Sequence, residues 1–335
     1  MASEFNAPSS RRDALKFGGL AVSLGALAAA CGENRGGSEA LGRVGNAPSV
    51  TTPPDLEVND VVLLRTASSL ELTAVAVYEA ALALDDAVPA GAVPLIERMI
   101  LEHEGTAAEM ARLTEAAGGI AWTCTNPWFM ERIVGPILES ITSNAVGFIV
   151  EVDGESEPQL QVMGVTGPIQ DTVQITEQLG SITAVDPLDD VEVGDEVEFT
   201  RLDAAVPADV LALAIAFENL ASAAHQELAS ATSIVEARVA HAQASALEAR
   251  HAALLSFLST PDRTDAYFSP ALVGGEVVPD ARSQFRSFAI NSTFNQTAQI
   301  EIKAGPGDLN NVRTSYLLQT PAANSLVYNE LSCDA

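Results

Sequence analysis

Basic residues are scarce in this chain of 335 residues, in which 17 Lys and Arg face 45 Asp and Glu, for a formal net charge of −28. Lys16 and Lys303 are its only lysines. Nucleic-acid binding depends on clustered Lys and Arg that neutralise phosphates, so the composition argues against a nucleic-acid partner. A strongly acidic composition is compatible with a highly soluble surface, with attraction of cations or with adaptation to high salt, and it does not distinguish among these explanations.

Cysteine is also rare, with three residues in the whole chain. None of them lies in a cluster with zinc-binding spacing, and the sequence has no Gly-rich phosphate loop and no local signature of a Ser/His/Asp hydrolase. These absences argue against a zinc-finger module, a P-loop nucleotide site and a serine hydrolase.

The first 31 residues have the features of an export signal. Arg11 and Arg12 precede an apolar run from Phe17 to Ala30, which is too short to span a bilayer comfortably and is typical of a signal peptide. The stretch SRRDALK resembles the twin-arginine export signal, and it departs from that pattern where Ala14 replaces the usual Phe. We expect an exported protein of the cell envelope, in the periplasm or on the extracytoplasmic face of the membrane.

The end of this signal resembles a bacterial lipoprotein processing site. LAAAC ends at Cys31, with Ala28 rather than Leu three positions before the cysteine. Lipidation of Cys31 would anchor the protein to the membrane, and simple cleavage near Ala30 is the alternative. If Cys31 carries lipid, Cys124 and Cys333 remain as a candidate disulfide in an oxidising compartment, the alternative being two buried free thiols.

The rest of the chain alternates between helical and strand-like patterns. Four long stretches have apolar residues at helical spacing and are predicted as helices: 60–87, 94–119, 207–233 and 234–259. Four alternating segments, AVGFIVEV, LQVMGV, TVQITEQ and DEVEFTRL, predict a small β-module. We expect a signal at 1–31, a flexible linker at 32–56, a first helical hairpin at 57–144, an inserted β-rich module at 145–203, a second hairpin at 204–262 and a C-terminal extension at 263–335, partly β and packing on the β-module.

The two helical hairpins share a spacing of polar residues. Aligning Glu71 with Glu218 places Tyr78 and His225 at the same point, seven residues further on, and two helical turns keep each pair on one face. Tyr78 and His225 are thus candidate partners of metal ligands, with aromatic packing the alternative for Tyr78. Aligning the second helix of each hairpin matches Glu104 with Glu248 and Glu97 with His241. We expect His241 to be exposed or at the edge of the core.

Glu248 and His251 lie one turn apart in the apolar stretch LEARHAALL. They could point together at a metal ion, or they could form a solvated edge of an ordinary amphipathic helix. Buried carboxylates without a cation are costly, so the orientation of these side chains separates the two interpretations.

The set of glutamates resembles the ferritin-like superfamily, particularly exported bacterial ferritin-like domain proteins, over residues 58–120 and 205–260. Members hold two irons with one Glu from each of two helices and a Glu-x-x-His from each of the other two. The resemblance implies a mainly α fold, an antiparallel four-helix bundle with the β-rich insertion and a partly β tail. The metal ligands it implies are Glu71, Glu104, Glu218, Glu248 and His251.

The second helix departs from the family pattern. Ala107 stands where the histidine partner of Glu104 is expected, so one metal position lacks a nitrogen ligand. His103 could substitute if the helix is rotated, and another register would use Glu102. The site is therefore complete but altered, reduced to one metal, or vestigial. We expect iron binding or oxidation with one or two ions, manganese or zinc being alternatives, or else a non-catalytic envelope scaffold whose β-module binds a partner.

Overall fold

The computed structural model describes residues 56–84, 88, 90–169, 182–184, 188, 191–201, 205–259, 299–319 and 325–333. The predicted signal with Cys31, the linker up to residue 55 and the strand predicted around TVQITEQ lie outside the described residues. In chain order the elements are α1 (Asp60–Ala83), α2 (Val93–Ala116), α3 (Pro127–Phe129), a π-helical turn (Met130–Val134), α4 (Gly135–Thr142), β1 (Ala145–Val150), β2 (Gln159–Val162), β3 (Val165–Pro168), β4 (Ile182–Ala184), β5 (Glu196–Arg201), α5 (Ala205–Ala231), α6 (Val235–Ser259), β6 (Gln299–Gly307) and β7 (Arg313–Gln319). The described fold is mainly α with β parts.

Local sequence explains where the first two long helices begin and end. The side chain of Asn59 accepts a hydrogen bond of 3.1 Å from the backbone N–H of Val62, which caps α1. Pro94 lies in the first turn of α2, where its missing N–H costs nothing. Gly118 follows α2 with a φ of 82°, a left-handed conformation that glycine adopts readily.

The long helices α1, α2, α5 and α6 pack together around one apolar core. Helix α1 packs on α2 and α5, and α6 packs on α5 and α2. Two ion pairs show that α2 and α6 run in opposite directions: Glu102 meets Arg250, and Arg112 meets Glu236. The hairpins separated by the β-insertion therefore share one hydrophobic core.

Two of these helices are long and apolar enough to cross a membrane, Asp60–Ala83 and Pro207–Ala231. Within the fold, 83% and 78% of their most apolar windows are buried. Core helices of globular proteins show the same composition, so burial among neighbouring helices accounts for it.

The inserted β-module is a five-stranded antiparallel sheet with the order β3-β2-β1-β5-β4. It has its own small core, formed by alternate residues of β1, β2 and β5: Ala145, Ile149, Leu160, Val162, Val197 and Phe199. Period-two burial of this kind is what one buried sheet face produces.

The strands of the C-terminal extension do not join that sheet. Among the described residues, strands β6 and β7 pair with each other alone and pack on α4 and α5. Ile302 and Leu318 of this hairpin belong to the helical core, and Gly164 of the β-module donates one hydrogen bond of 3.0 Å to Leu309. In the part of the extension that the structure describes, the expected packing on the β-module is thus seen at this turn, while the apolar face of the hairpin is buried by the helices.

The last described segment, 325–333, is fastened to α1. Arg65 donates a hydrogen bond of 2.7 Å to the carbonyl of Leu331, and the N–H of Val327 donates one of 2.8 Å to Thr66 Oγ1. Cys333 forms a disulfide bond with Cys124, with Cα atoms 5.9 Å apart. This distance lies within the range that disulfides require, about 4.4–6.8 Å.

Candidate metal centre

All 4 histidines of the chain lie in the interior of the helical core. Three glutamates accompany them, and every one of these side chains belongs to a residue that is 1% exposed or less. Helix α1 supplies Glu71, α2 supplies His103, and α5 and α6 supply the others: Glu218, His225, His241, Glu248 and His251. The predicted residues Glu71, Glu218, Glu248 and His251 are therefore brought together.

Glu104 is the predicted ligand that the structure places elsewhere. It is exposed, while His103 beside it is fully buried. Successive residues of a helix differ in direction by about 100°, so only one of the two can face the core. The apolar face of α2 contains Ile96, Met99 and Met110, and His103 lies in phase with it. The assignment of Glu104 was therefore wrong by one residue in register. Ala107 is buried, but Glu104, one turn before it, is exposed and does not face the core.

Two hydrogen bonds connect α1 and α5 reciprocally. The hydroxyl of Tyr78 on α1 donates to Oε1 of Glu218 on α5. His225 Nε2 on α5 lies 2.5 Å from Oε1 of Glu71 on α1. Tyr78, seven residues after Glu71, therefore contacts Glu218, and His225, seven residues after Glu218, contacts Glu71. This cross-contact agrees with the spacing shared by the two hairpins.

His103 lies between the carboxylates of the two hairpins. Its Nδ1 is 2.7 Å from Glu71 Oε2 and its Nε2 is 3.0 Å from Glu218 Oε1. Burial alone would lower the pKa of His103, but Glu218 and Glu71 together raise it to about 10. Burial alone would raise the pKa of Glu71, yet hydrogen bonds from His103 and His225 bring it to about 2. An imidazolium thus neutralises part of the buried negative charge.

Beside His103 lies a group of atoms without partners. Both carboxylate oxygens of Glu248, Oε2 of Glu218 and Nδ1 of His251 have no hydrogen-bond partner among the described residues. They face one another, since His251 Nδ1 is 3.5 Å from Glu218 Oε2 and 3.8 Å from Glu248 Oε2. Burial raises the pKa of Glu248 well above its usual range, and the carboxylates of Glu71 and Glu218 raise it further. Deeply buried polar atoms without a hydrogen bond are costly. Protonation of Glu248, which lets it donate to Glu218, relieves part of that cost and leaves Nδ1 of His251 without a hydrogen bond among the described residues.

Four of these residues could hold a metal ion. One ligand atom each from His103, Glu218, Glu248 and His251 can be chosen so that all four atoms lie within 4.8 Å of one another. Opposite ligands of a transition metal are about 4.2 Å apart at bond lengths near 2.1 Å, so small side-chain movements would close the site. Glu71 stands just outside this set and contacts it through His103.

Glu102 fixes the orientation of His251. Its Oε2 lies 2.8 Å from His251 Nε2, so that nitrogen carries the proton as a donor to the carboxylate. In the neutral imidazole this leaves the lone pair on Nδ1, the atom that faces Glu218 and Glu248. Metal-binding histidines commonly have such a carboxylate partner, which sets the tautomer and the angle of the ring.

His241 was expected at the surface or the edge of the core, and this expectation was wrong. It is fully buried, and its Nδ1 lies 3.1 Å from Nδ1 of His225. Burial, together with His225, lowers the pKa of His241 to about 3. The signal that could have placed it inside is its spacing: His241 lies four residues after Ala237 and seven before Glu248, on the same helix face as Glu248 and His251, whereas the alignment with the exposed Glu97 pointed the other way.

No protein-family model, curated protein or solved structure matches this chain. The functional interpretation therefore depends on the residues of this site.

Proposed function

We propose that the helical core binds a transition-metal ion, iron foremost, through Glu218, Glu248, His251 and His103. The observation that carries the proposal is the set of buried, partnerless atoms on three of these residues, which face one another within 4 Å. A cation would neutralise the carboxylates and give each of these atoms a partner, which removes the cost of their burial.

The donor set favours a first-row transition metal over calcium or magnesium. Two imidazoles and two carboxylates combine nitrogen and oxygen ligands, whereas calcium and magnesium prefer oxygen alone. Iron, manganese and zinc all accept such ligands, and iron is the metal of the ferritin-like arrangement that the sequence resembles. When bound there, iron would supply one-electron chemistry: it would itself be oxidised, or it would react with peroxide.

The site is better suited to one ion than to two. His103 contacts both Glu71 and Glu218, so it lies where those two glutamates would share a second ion. In the metal-free protein its imidazolium supplies positive charge at that point; as a metal ligand His103 would release the proton on Nε2 and keep the proton on Nδ1 for Glu71. Within this proposal the bundle is ferritin-like in architecture, and one half of a two-metal site has been replaced by a histidine.

The same proposal places the protein outside the cytoplasm. The disulfide between Cys124 and Cys333 supports an oxidising compartment. The twin-arginine-like sequence and Cys31 add to this from the sequence, and a lipid on Cys31 would hold the bundle at the extracytoplasmic face of the membrane.

A second candidate function is a non-catalytic envelope scaffold with a vestigial site. One observation favours it: Glu71 already has two imidazole partners, so part of the buried charge is neutralised without a metal. In that case the β-module would be the part that binds a partner.

Metal stoichiometry distinguishes the two functions. The purified full chain is titrated anaerobically with ferrous iron, and the bound metal is measured by elemental analysis. We expect one ion per chain, loss of binding in Glu248→Gln and His251→Ala, and wild-type binding in Glu104→Gln, which removes an exposed carboxylate. Two ions per chain would contradict the single-ion site, and no binding of iron, manganese or zinc would leave the scaffold function.

A further inference from the structure

Glu102 connects the buried site with the surface of the protein. Its side chain is 17% exposed, whereas those of His251, Glu218 and Glu248 are 1% exposed or less. Its Oε2 touches Nε2 of His251 directly, at 2.8 Å. Glu102 is thus a carboxylate that is partly exposed to solvent and also contacts one of the buried candidate ligands.

Two arginines hold this carboxylate in place. Arg98 on α2 donates from Nε to Oε1 at 2.8 Å, and Arg250 on α6 donates to Oε2 at 2.8 Å. Both arginines are mostly exposed, with 67% and 57% of their side chains accessible. The ion pair between Glu102 and Arg250 joins α2 to α6 at the same oxygen that contacts His251, so it favours the closed arrangement of the two helices there.

We infer that Glu102 is the access carboxylate through which a divalent cation reaches the buried site, with Arg98 and Arg250 as the latch that keeps this route closed. The inference rests on the proposed function. An incoming cation competes with the guanidinium groups for the oxygens of Glu102. Once that ion pair opens, α2 and α6 can part locally and let the cation pass beside the ring of His251 to Nδ1 and the carboxylates. The net charge of −28 draws cations to the surface as a whole, so a particular entry point needs a carboxylate that contacts a buried ligand, as Glu102 does.

The geometry makes the latch easy to release. Exposed ion pairs contribute little because water competes for both partners, and an exposed arginine can swing away on a fast timescale. A direct path through the walls of α1 and α5 would instead require opening of tightly packed apolar residues such as Leu70, Phe217 and Leu220.

Rates of metal uptake test the inference. Stopped-flow mixing of the full chain with Co²⁺ alone, followed by the visible absorbance of the bound ion, gives the association and dissociation rates. Arg250→Ala should increase both rates by about two- to fivefold, the factor that corresponds to an exposed ion pair, with little change in Kd. Alanine favours helix, so the fold is retained.

Arg112→Ala is the matched control. Arg112 forms an exposed ion pair with Glu236 across the same two helices, far from the site. Its loss should leave both rates unchanged. Equal acceleration in Arg112→Ala and Arg250→Ala would mean general loosening of the helices, and no acceleration in Arg250→Ala would mean another route, so either result overturns the inference.

The variant Glu102→Gln distinguishes two roles of Glu102: admitting the cation to the site, and orienting the ring of His251. If Glu102 only orients His251, the amide should raise the dissociation rate and leave the association rate at the wild-type value, which would overturn the inference. If it is the access carboxylate, the association rate should fall by about tenfold or more. Failure of the wild type to bind Co²⁺ or ferrous iron would defeat the proposed function itself, whereas normal affinity with unaltered association rates in these variants would defeat the access route alone.

Discussion

Glu248 should make the metal-free protein less stable than it could be. Its carboxyl group is fully buried, and neither oxygen has a hydrogen-bond partner among the described residues. Burial, then the charges of Glu71 and Glu218, raise its pKa well above the usual range. A carboxyl group whose pKa is higher in the folded than in the unfolded state disfavours folding at any pH above the unfolded value, about 4.3. This cost grows as the pH rises above that value and is complete only once the pH passes the folded-state pKa of Glu248, and a bound cation would remove it.

The variant Glu248→Gln should therefore stabilise the metal-free protein. Glutamine has nearly the same shape and needs no proton to be neutral, and its amide can donate to Glu218 as the protonated carboxyl of Glu248 does. An unsatisfied buried polar group costs about 1–3 kcal/mol, and the new amide is itself incompletely bonded, so we expect a net gain of about 1–2 kcal/mol. This corresponds to a rise in Tm of roughly 2–8 °C.

Metal should reverse the order of the two proteins. At a free metal concentration of 100 times Kd, binding stabilises the wild type by about 2.7 kcal/mol, while Glu248→Gln, which has lost a ligand, should gain little. Thermal and urea unfolding followed by circular dichroism, with a chelator and then with ferrous iron, measure both effects, and Glu104→Gln should behave like the wild type throughout. A variant that is less stable than the wild type in chelator, with a wild type that metal does not stabilise, would refute this reasoning and make Glu248 a structural residue.

Three further predictions concern the surroundings of the site and the attachment of the C-terminal extension. Tyr78→Phe removes a donor to the charged Glu218 and should lower the free energy of unfolding of the metal-free protein by about 1.5–3 kcal/mol in urea titrations; an unchanged value would show that the hydrogen bond is made equally well by water or another group. Cys124→Ser opens a disulfide that spans 209 residues of sequence and should cost about 2–5 kcal/mol under oxidising conditions, with no difference from the wild type once both are reduced. Arg313→Ala removes the ion pair with the buried carboxylate of Asp209, which keeps other contacts such as the hydrogen bond from Gly305 N–H, and should cost about 1–3 kcal/mol because Arg313 is 32% exposed; equilibrium unfolding with a cost below about 0.5 kcal/mol would contradict it.

Much of the helical framework follows from local physics alone. The caps at Asn59 and Gly118 and the uninterrupted apolar spacing set the helices within a few residues of their observed limits. The first helix was predicted to reach residue 87 and ends at Ala83, since spacing indicates helix but does not mark where packing against neighbours stops. Alternation of apolar residues with turn signals likewise indicated the β-module, which needs no distant partner to bury one face.

The sequence by itself also determined which helices carry the carboxylates. It further indicated that Glu71, Glu218, Glu248 and His251 lie at matching levels, because that follows from residue spacing within each helix and from the similar spacing in the two hairpins. It could not determine the rotation of α2 about its own axis. Glu104 and His103 are neighbours, and a difference of about 100° decides which of them enters the core. That rotation is set by the packing of Ile96, Met99 and Met110 against the other helices, a contact between distant parts of the chain. Tertiary structure therefore decided that a histidine stands between Glu71 and Glu218, that His241 is buried, and that Glu102 joins the site to the surface.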